Sequence, residues 1–600
     1  MKYRKEIDGL RGLSIFLVII FHLKIFAFKG GFLGVDIFFV ISGYLITNII
    51  ISELEMDKFS LISFYERRIR RIIPALYFVI IISSFFAYYW MIPESFENYG
   101  QSVVATSLFS NNILLLFTSS YWSLNSDFKP LLHTWSLGVE EQFYLLYPIL
   151  LIFFYKFFKK LLYLNILIIF VSSVIFNFLA YKFSENASFY LLPSRAWELL
   201  AGSLVAMQIK KKNYKVYNHY LQQYLSSLGI MLILIPVFFF DFIKSHLPIV
   251  GILPVIGTML IIIYANEETL INKFLRSSLL VKLGLISYSA YLWHWPIFSF
   301  ARIYSVNQPS LFLMFFLTIL TIFISFISYI FIEKPFRIKN RFTHKKVFLG
   351  LFVVSVLLIS FGFYTHITMG MTSRFEPHVS KKSYKDISHI SYNEKVYHLK
   401  KNNFSNDVRL KILIVGNSYA RDFVNVIQEN FDNENIDIIY RNDFNECLLS
   451  LENDIFKDLY NKSNIIIFAS GGYKKQCINE NIELVNLDNK EIFYVGYKHF
   501  GYNLNWLTRI PKTERINKSN IIINEAIIKE KKLIMLIPKE NFIPLLSKIS
   551  KNNKVMITDE SGNLLSIDLK HLTKAGARFV GKKAVNGTNL SRIILKGSIN

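Results

Sequence analysis

The chain has 600 residues, 52% of them hydrophobic and 56 of them phenylalanine, with a formal net charge of +24. So much apolar surface, gathered in runs of about 18 to 22 residues, is of bilayer-spanning length and excludes a wholly soluble protein. The basic residues gather in short loops between the runs, where they set membrane orientation, and no basic and aromatic platform supports nucleic-acid binding.

Apolar blocks run near residues 8–28, 33–52, 72–92, 100–117, 136–157, 161–182, 195–209, 222–240, 247–265, 284–304, 310–332 and 347–368. The first follows the basic segment MKYRKEIDGLRG. It continues past signal-peptide length, lacks an A-x-A-like cleavage site and contains His22, so it reads as a retained first span. If every block crossed, KFFKK (156–160), KKKNYK (210–215) and KPFRIKNRFTHKK (334–346) would face the wrong side. The least apolar block, GQSVVATSLFSNNILLLF, is therefore predicted to be re-entrant or interfacial. About eleven spans remain, with the N-terminus and every basic loop, including ERRIRR (66–71), cytoplasmic and the region after residue 370 outside.

Ionisable residues inside such spans are expensive and mark candidate functional sites. The first span holds Asp8, Arg11 and His22, whose imidazole can take or give a proton near neutral pH. GGFLGVDIFFVISGYLIT brings Asp36, with Ser42-Gly43 available for close helix packing. HTWSLGVEEQFYLLYP brings His133 and places Glu140 and Tyr144 on one helix face. SRAWELLAG spaces Arg195 and Glu198 three apart, close enough to pair, and ISYSAYLWHWPI sets His294 one turn after Tyr291. Together these predict a polar cavity within a helical bundle, which a proton-coupled transporter would also show. FYERRIRRIIPA differs in kind, because four arginines at one mouth of a span form a fixed positive fork suited to phosphate.

Beyond residue 370 the composition turns polar. A Ser/Lys/Tyr/Asn-rich stretch over 371–408 reads as a linker, and residues 409–600 alternate apolar strands with helical patterns, predicting an α/β domain with a parallel sheet. Within it KILIVGNSYARDF sets Ser418 at the start of a helix after a strand and a glycine, an arrangement that exposes a nucleophile at the carboxyl edge of a sheet. The only two cysteines, Cys447 and Cys477, fit one disulfide in an oxidising compartment.

Six motifs in order, IDGLRGLSIFLVIIFH, GGFLGVDIFFVISGYLIT, FYERRIRRIIPA, HTWSLGVEEQFYLLYP, SRAWELLAG and SYSAYLWHWP, resemble the membrane acyltransferase-3 family over residues 1–340. The resemblance extends to the subset with a further span, here 341–370, and a C-terminal SGNH-type domain. It implies an enzyme of a bacterial inner membrane that moves acetyl from cytoplasmic acetyl-CoA to a surface or lipid-linked glycan in the periplasm. No metal and no permanently bound cofactor are implied. The motif style leans toward acetylases of lipopolysaccharide O-antigen, with capsule and peptidoglycan as other acceptors. His22 resembles the family's essential histidine, and Arg68 with Arg71 its R-x-x-R pair for the CoA phosphates, although Arg67 and Arg70 share that spacing. Asp8, Arg11, Asp36, Glu140, Arg195 and Glu198 match recurrent family positions.

In SGNH-type domains a D-x-x-H before the last helix serves the serine, which points to a triad of Ser418, His571 and Asp568, with HLTKAGA matching the family's tail. The Ser418 N–H, Gly471 and the Asn503 side chain are the expected oxyanion donors. The usual Gly-Asp-Ser-His is Gly416-Asn417-Ser418-Tyr419 here, which leaves a binding-only outer domain open; the rival readings are a glycan esterase and a glycan or lipid transporter whose outer domain only binds.

Overall fold

The computed structural model describes residues 3–118, 124–210, 218–240, 247–338, 342–407, 409–444, 447–448 and 453–597. The chain divides into two compact units. One is Met1–Ala87, Tyr99–Ala301 and Pro309–Tyr364; the other is Tyr88–Asn98, Arg302–Gln308 and Thr365–Asn600.

The first unit is helical, and helices occupy all eleven predicted span positions. Among the described residues seven helices are long and apolar enough to cross a membrane: Gly31–Glu55, Leu61–Trp90, Thr134–Phe157, Lys159–Phe183, His219–Phe238, Leu311–Arg337 and His344–Ile367. The protein is a multi-pass membrane protein. The remaining positions hold Lys5–His22, Leu192–Lys210, Leu247–Tyr264 and Ser287–Tyr304. Two of these carry the charges picked out above, Asp8 with Arg11 and Arg195 with Glu198, and those charges lower their hydropathy. Of the basic loops, KKKNYK falls largely in 211–217, and 339–341 interrupt KPFRIKNRFTHKK; both stretches lie outside the described residues.

The block predicted to be re-entrant is not one helix. Pro93–Ser107 ends and Asn111–Thr118 begins across a break in which Phe109 is left-handed at φ 51°. Asn111 and Asn112 are fully buried; their amides donate to the Leu131 carbonyl (2.9 Å) and the Tyr190 carbonyl (3.0 Å). Those two polar side chains make the block the least apolar of the twelve, and the fold spends them on satisfying loop carbonyls in the interior. Elsewhere close packing depends on glycine. A Cβ at Gly43 would meet the Leu199 carbonyl oxygen at 1.7 Å and one at Gly202 the Val40 oxygen at 1.9 Å, so Gly34–Glu55 and Leu192–Lys210 cross with their backbones in contact.

The second unit holds a five-stranded, all-parallel sheet in the order β2-β1-β3-β4-β6. Its strands are β1 (Leu410–Val415), β2 (Ile436–Arg441), β3 (Ile465–Phe468), β4 (Glu491–Val495) and β6 (Phe542–Ile543). A small antiparallel sheet joins β5 (Ser519–Ile521), β7 (Ser550–Lys551) and β8 (Lys554–Met556). Ile412, Leu413, Ile414 and Ile465 to Phe468 are fully buried, as the continuous apolar runs of a doubly covered parallel sheet require. The chain leaves β1 for β2 on one side and returns to β3 on the other. The crevice at the carboxyl ends of β1 and β3 is thus the switch point where ligands bind in open α/β sheets.

The stretch read as a linker is folded instead. It forms Lys381–Ile387, Ile390–Glu394 and Lys395–Leu399 and buries Tyr384, Tyr392, Val396 and Phe404 against this unit. Scattered aromatic anchors among polar residues leave no period for a sequence reading to find. Cys447 and Cys477 form the expected disulfide, with Cα atoms 4.8 Å apart.

Candidate active site

Ser418 is the first residue of the Ser418–Asn430 helix, reached directly from β1. Gly416, at φ +145°, lies so near the Ala469 carbonyl oxygen that a Cβ would sit 2.2 Å from it, so the turn requires glycine. Asn417 caps the helix: its Oδ1 accepts the Tyr419 N–H (3.0 Å) and its Nδ2 donates to the Ser470 carbonyl (3.1 Å). The asparagine thus keeps the turn bond expected of it and adds one that a carboxylate cannot make, tying the serine loop to the segment after β3. We expect Asn417→Asp, which restores the common motif, to destabilise this unit by about 1 kcal/mol through loss of the Ser470 bond, read as a lower unfolding midpoint.

Asp568 and His571 meet as the spacing indicated. His571 Nδ1 lies 2.7 Å from Asp568 Oδ2, while Asp568 Oδ1 accepts the N–H groups of Lys570 (3.1 Å) and His571 (2.9 Å). Burial alone would push the Asp568 pKa up, but the neighbouring imidazole and these bonds hold it well below the usual carboxylate range. For His571, burial works downward and is outweighed by Asp568, which raises it. An ionised Asp568 fixes the proton on Nδ1 and leaves Nε2 as the basic nitrogen. One turn beyond Ser418, Asp422 Oδ2 accepts the N–H of Leu572 (3.2 Å), drawing the His571 loop onto the helix that Ser418 begins.

Gly471, at φ +77°, lies against the Tyr419 ring, with a Cβ position 3.2 Å from Cζ, on the segment that Asn417 holds. Asn503 is a correction. Its Nδ2 donates to the carbonyls of Arg302, Ile303 and Ser305 at 3.1, 2.7 and 2.6 Å and its Oδ1 accepts from Asn505, so its amide is consumed by structure and offers nothing to an oxyanion. The sequence reading also missed Asp422 and Lys498, although the four-residue spacing from Ser418 places Asp422 on the serine's face of the helix.

In the helical unit, one cavity is lined by Arg11, Ser42, Arg68, Arg71, Ser136, Glu140, Tyr144, Tyr288 and Tyr291 among apolar neighbours. Glu140 accepts from Ser42 and Tyr144. Arg11 reaches Asp8 (3.2 Å) and the Ser287 hydroxyl (2.9 Å). The four arginines of ERRIRR divide into two pairs here. Arg68 and Arg71 face the cavity, whereas Arg67 pairs with Glu53 (2.9 Å) and Arg70, buried, with Glu66 (2.7 Å). Arg195 bridges Asp36 and Glu198, the latter at 3.1 Å, as a buried network. His22 sits apart from that lining. Its Nδ1 is 2.8 Å from the Val18 carbonyl, and its ring packs on His294 (5.2 Å) and Trp295 (4.6 Å), with His133 next to His294 (5.5 Å).

A third cluster lies in the second unit, where Glu94, Glu97 and His389 bring their ligand-type atoms within 4.8 Å of one another. His389 Nδ1 accepts the Ser391 N–H (3.1 Å), which leaves Nε2–H to face Glu97 (3.0 Å): a hydrogen-bonded set rather than a lone pair aimed at a metal. Burial raises Glu94 to about 7, its largest cause, against the lowering effect of His389. A raised folded-state value means that its contribution is complete below the unfolded carboxyl range and is lost as pH rises through about 7. The unfolding midpoint of the protein should therefore fall over that window, and Glu94→Gln should flatten the fall.

The chain belongs to the acyltransferase family, whose domain model, described as "Acyltransferase domain", matches residues 4–330. It is 33% identical over 362 residues to "Peptidoglycan O-acetyltransferase OatA" of Listeria monocytogenes, a match covering 57% of each chain. It is 32% identical over 388 residues to "O-acetyltransferase OatA" of Staphylococcus aureus, covering 60% of this chain and 61% of the relative. The chain thus spans about 57 to 61% of the length of these curated relatives. No solved structure matches.

Proposed function

We propose that the protein is a membrane O-acyltransferase that moves acetyl from cytoplasmic acetyl-CoA to hydroxyls of an extracytoplasmic cell-surface glycan. The observation that carries the reading is the joining of two sites in one chain: a cavity with two converging arginines in an acyltransferase-family membrane unit, and an Asp568–His571 pair held against the helix that Ser418 begins. The relatives' names support acetyl as the acyl group, and that of the Listeria relative favours peptidoglycan over O-antigen as the acceptor.

Arg68 and Arg71 hold the phosphates of the donor by charge-assisted hydrogen bonds. The acetyl group enters the polar bundle, where His22 acts as general base or acyl carrier. Its Nδ1–H is fixed on Val18, which leaves Nε2 as the reactive nitrogen. Outside, Ser418 Oγ attacks the acetyl carbonyl and loses its proton to His571 Nε2, the Ser418 and Gly471 N–H groups receive the oxyanion, and the bond from the acetyl carbon to its carrier breaks as the carrier leaves with the proton from His571. The acceptor hydroxyl then gives its proton to His571 and attacks the acetyl-serine ester, whose bond to Ser418 Oγ breaks as His571 returns the proton to that oxygen. The test is mass spectrometry of surface glycans from cells with the wild-type protein, His22→Ala or Ser418→Ala. O-acetyl groups should be present in the first and lost in the other two. Glycan acetylation that persists in both variants, or rises in Ser418→Ala as an esterase would require, contradicts the reading.

A further inference from the structure

Lys498 follows β4 and is buried, at 2% exposure, beside an equally buried Asp422. Its Nζ lies 2.7 Å from Asp422 Oδ2, donates to the Lys570 carbonyl at 2.6 Å and sits 4.0 Å from the centre of the Tyr419 ring. Asp422 in turn accepts the Leu572 N–H. The two charges therefore grip the peptide groups on both sides of His571, the carbonyl before it and the N–H after it. The helix supplying Asp422 is the one that Ser418 begins. The loop needs such a grip, because Leu569 within it is held left-handed at φ 82° while buried, a conformation that costs a branched residue free energy; a further bond runs from the Phe500 N–H to the Leu569 carbonyl (3.0 Å).

We propose that the Lys498–Asp422 ion pair is the positioning device of the outer active site, fixing His571 against the Ser418 helix and balancing the charge around its imidazole. This rests on the reading of Ser418, His571 and Asp568 as a triad. A buried ion pair is weak evidence for stability, since well-packed neutral groups often serve as well. Here the pair also sets two opposite charges beside the base. The charged groups that act on His571 are Asp568 from its own loop, Asp422 from the Ser418–Asn430 helix and Lys498 from the segment after β4. Lys570 and Glu94 act in turn on Asp568.

The two partners therefore carry opposite signatures. Lys498→Met leaves Asp422 uncompensated, favours the imidazolium and moves the acidic limb of the pH–rate profile upward. Asp422→Asn keeps an acceptor for Leu572, leaves Lys498 uncompensated and moves the limb downward. The experiment measures hydrolysis of p-nitrophenyl acetate by the detergent-purified full-length protein across the imidazole range, for both single variants, their combination and Ser418→Ala. The rate should fall about 10- to 100-fold in each single variant, as for a displaced catalytic group. The limbs should move in opposite directions, and the double variant, neutral and nearly isosteric, should return toward the wild-type limb. Limbs that stay in place or move together, with Ser418→Ala inactive, overturn the positioning role alone. A Ser418→Ala protein that retains the full rate overturns the triad and this proposal with it. If Lys498→Met yields no folded protein, the downward limb of Asp422→Asn decides.

Discussion

Replacement of Ser418 by alanine should lower acyl transfer to the glycan by about 10⁴-fold or more. That is the scale at which removal of a nucleophile leaves only oxyanion stabilisation and binding. The expectation follows from the geometry around Ser418. The serine opens a helix at the switch point of a parallel sheet, and Asp568 fixes the imidazole of His571 in the tautomer that can take the hydroxyl proton. His571→Ala should cost a similar factor, because the residues act as a unit and the losses do not add. A purified protein assayed with acetyl-CoA and an oligosaccharide acceptor provides the check. A Ser418→Ala variant within tenfold of wild type would remove the outer domain from the chemistry.

The second large effect separates four arginines that look alike in sequence. Arg68→Ala and Arg71→Ala should each raise the apparent KM for acetyl-CoA by about 10- to 100-fold, as expected for loss of about 1.5 to 3 kcal/mol per hydrogen bond to a charged phosphate. Arg67→Ala should leave that KM within about twofold, because its partner is the half-exposed Glu53, and such pairs contribute about 0 to 1 kcal/mol. Arg70→Ala should act on folding instead. It takes from buried Glu66 one of two partners and leaves His344 as the other, at a cost of about 1.5 to 3 kcal/mol, and should show as low yield or a lowered unfolding midpoint in detergent. Equal effects of Arg67→Ala and Arg68→Ala on KM would undo the assignment of the motif's register.

What could be read from the sequence divides along physical lines. Span positions and the α/β unit were legible because hydrophobic period and block length are local properties. Asp568 with His571, Arg195 with Glu198 and Glu140 with Tyr144 were legible because helix and turn spacing brings such residues together whatever the rest of the fold does. The choice between Arg68–Arg71 and Arg67–Arg70 was not. Both pairs share the spacing, and only Glu53 and Glu66 reveal which face is spoken for. Asn503 failed for the converse reason: the carbonyls that consume its amide belong to residues 302–305, far away in the chain. Lys498 has no local pattern that marks it in the sequence; only the fold places it on Asp422.

The measurement that bears most directly on acyl transfer through Ser418 is the search for an acyl-enzyme. Purified full-length protein is given acetyl-CoA without acceptor and quenched in acid, and its peptides are analysed by mass spectrometry. One acetyl group should be found on the peptide bearing Ser418 in the wild type, missing from Ser418→Ala and strongly reduced in Arg68→Ala. Addition of the glycan acceptor should discharge it. Glycan acetylation at the full wild-type rate with Ser418 never acylated would contradict the account.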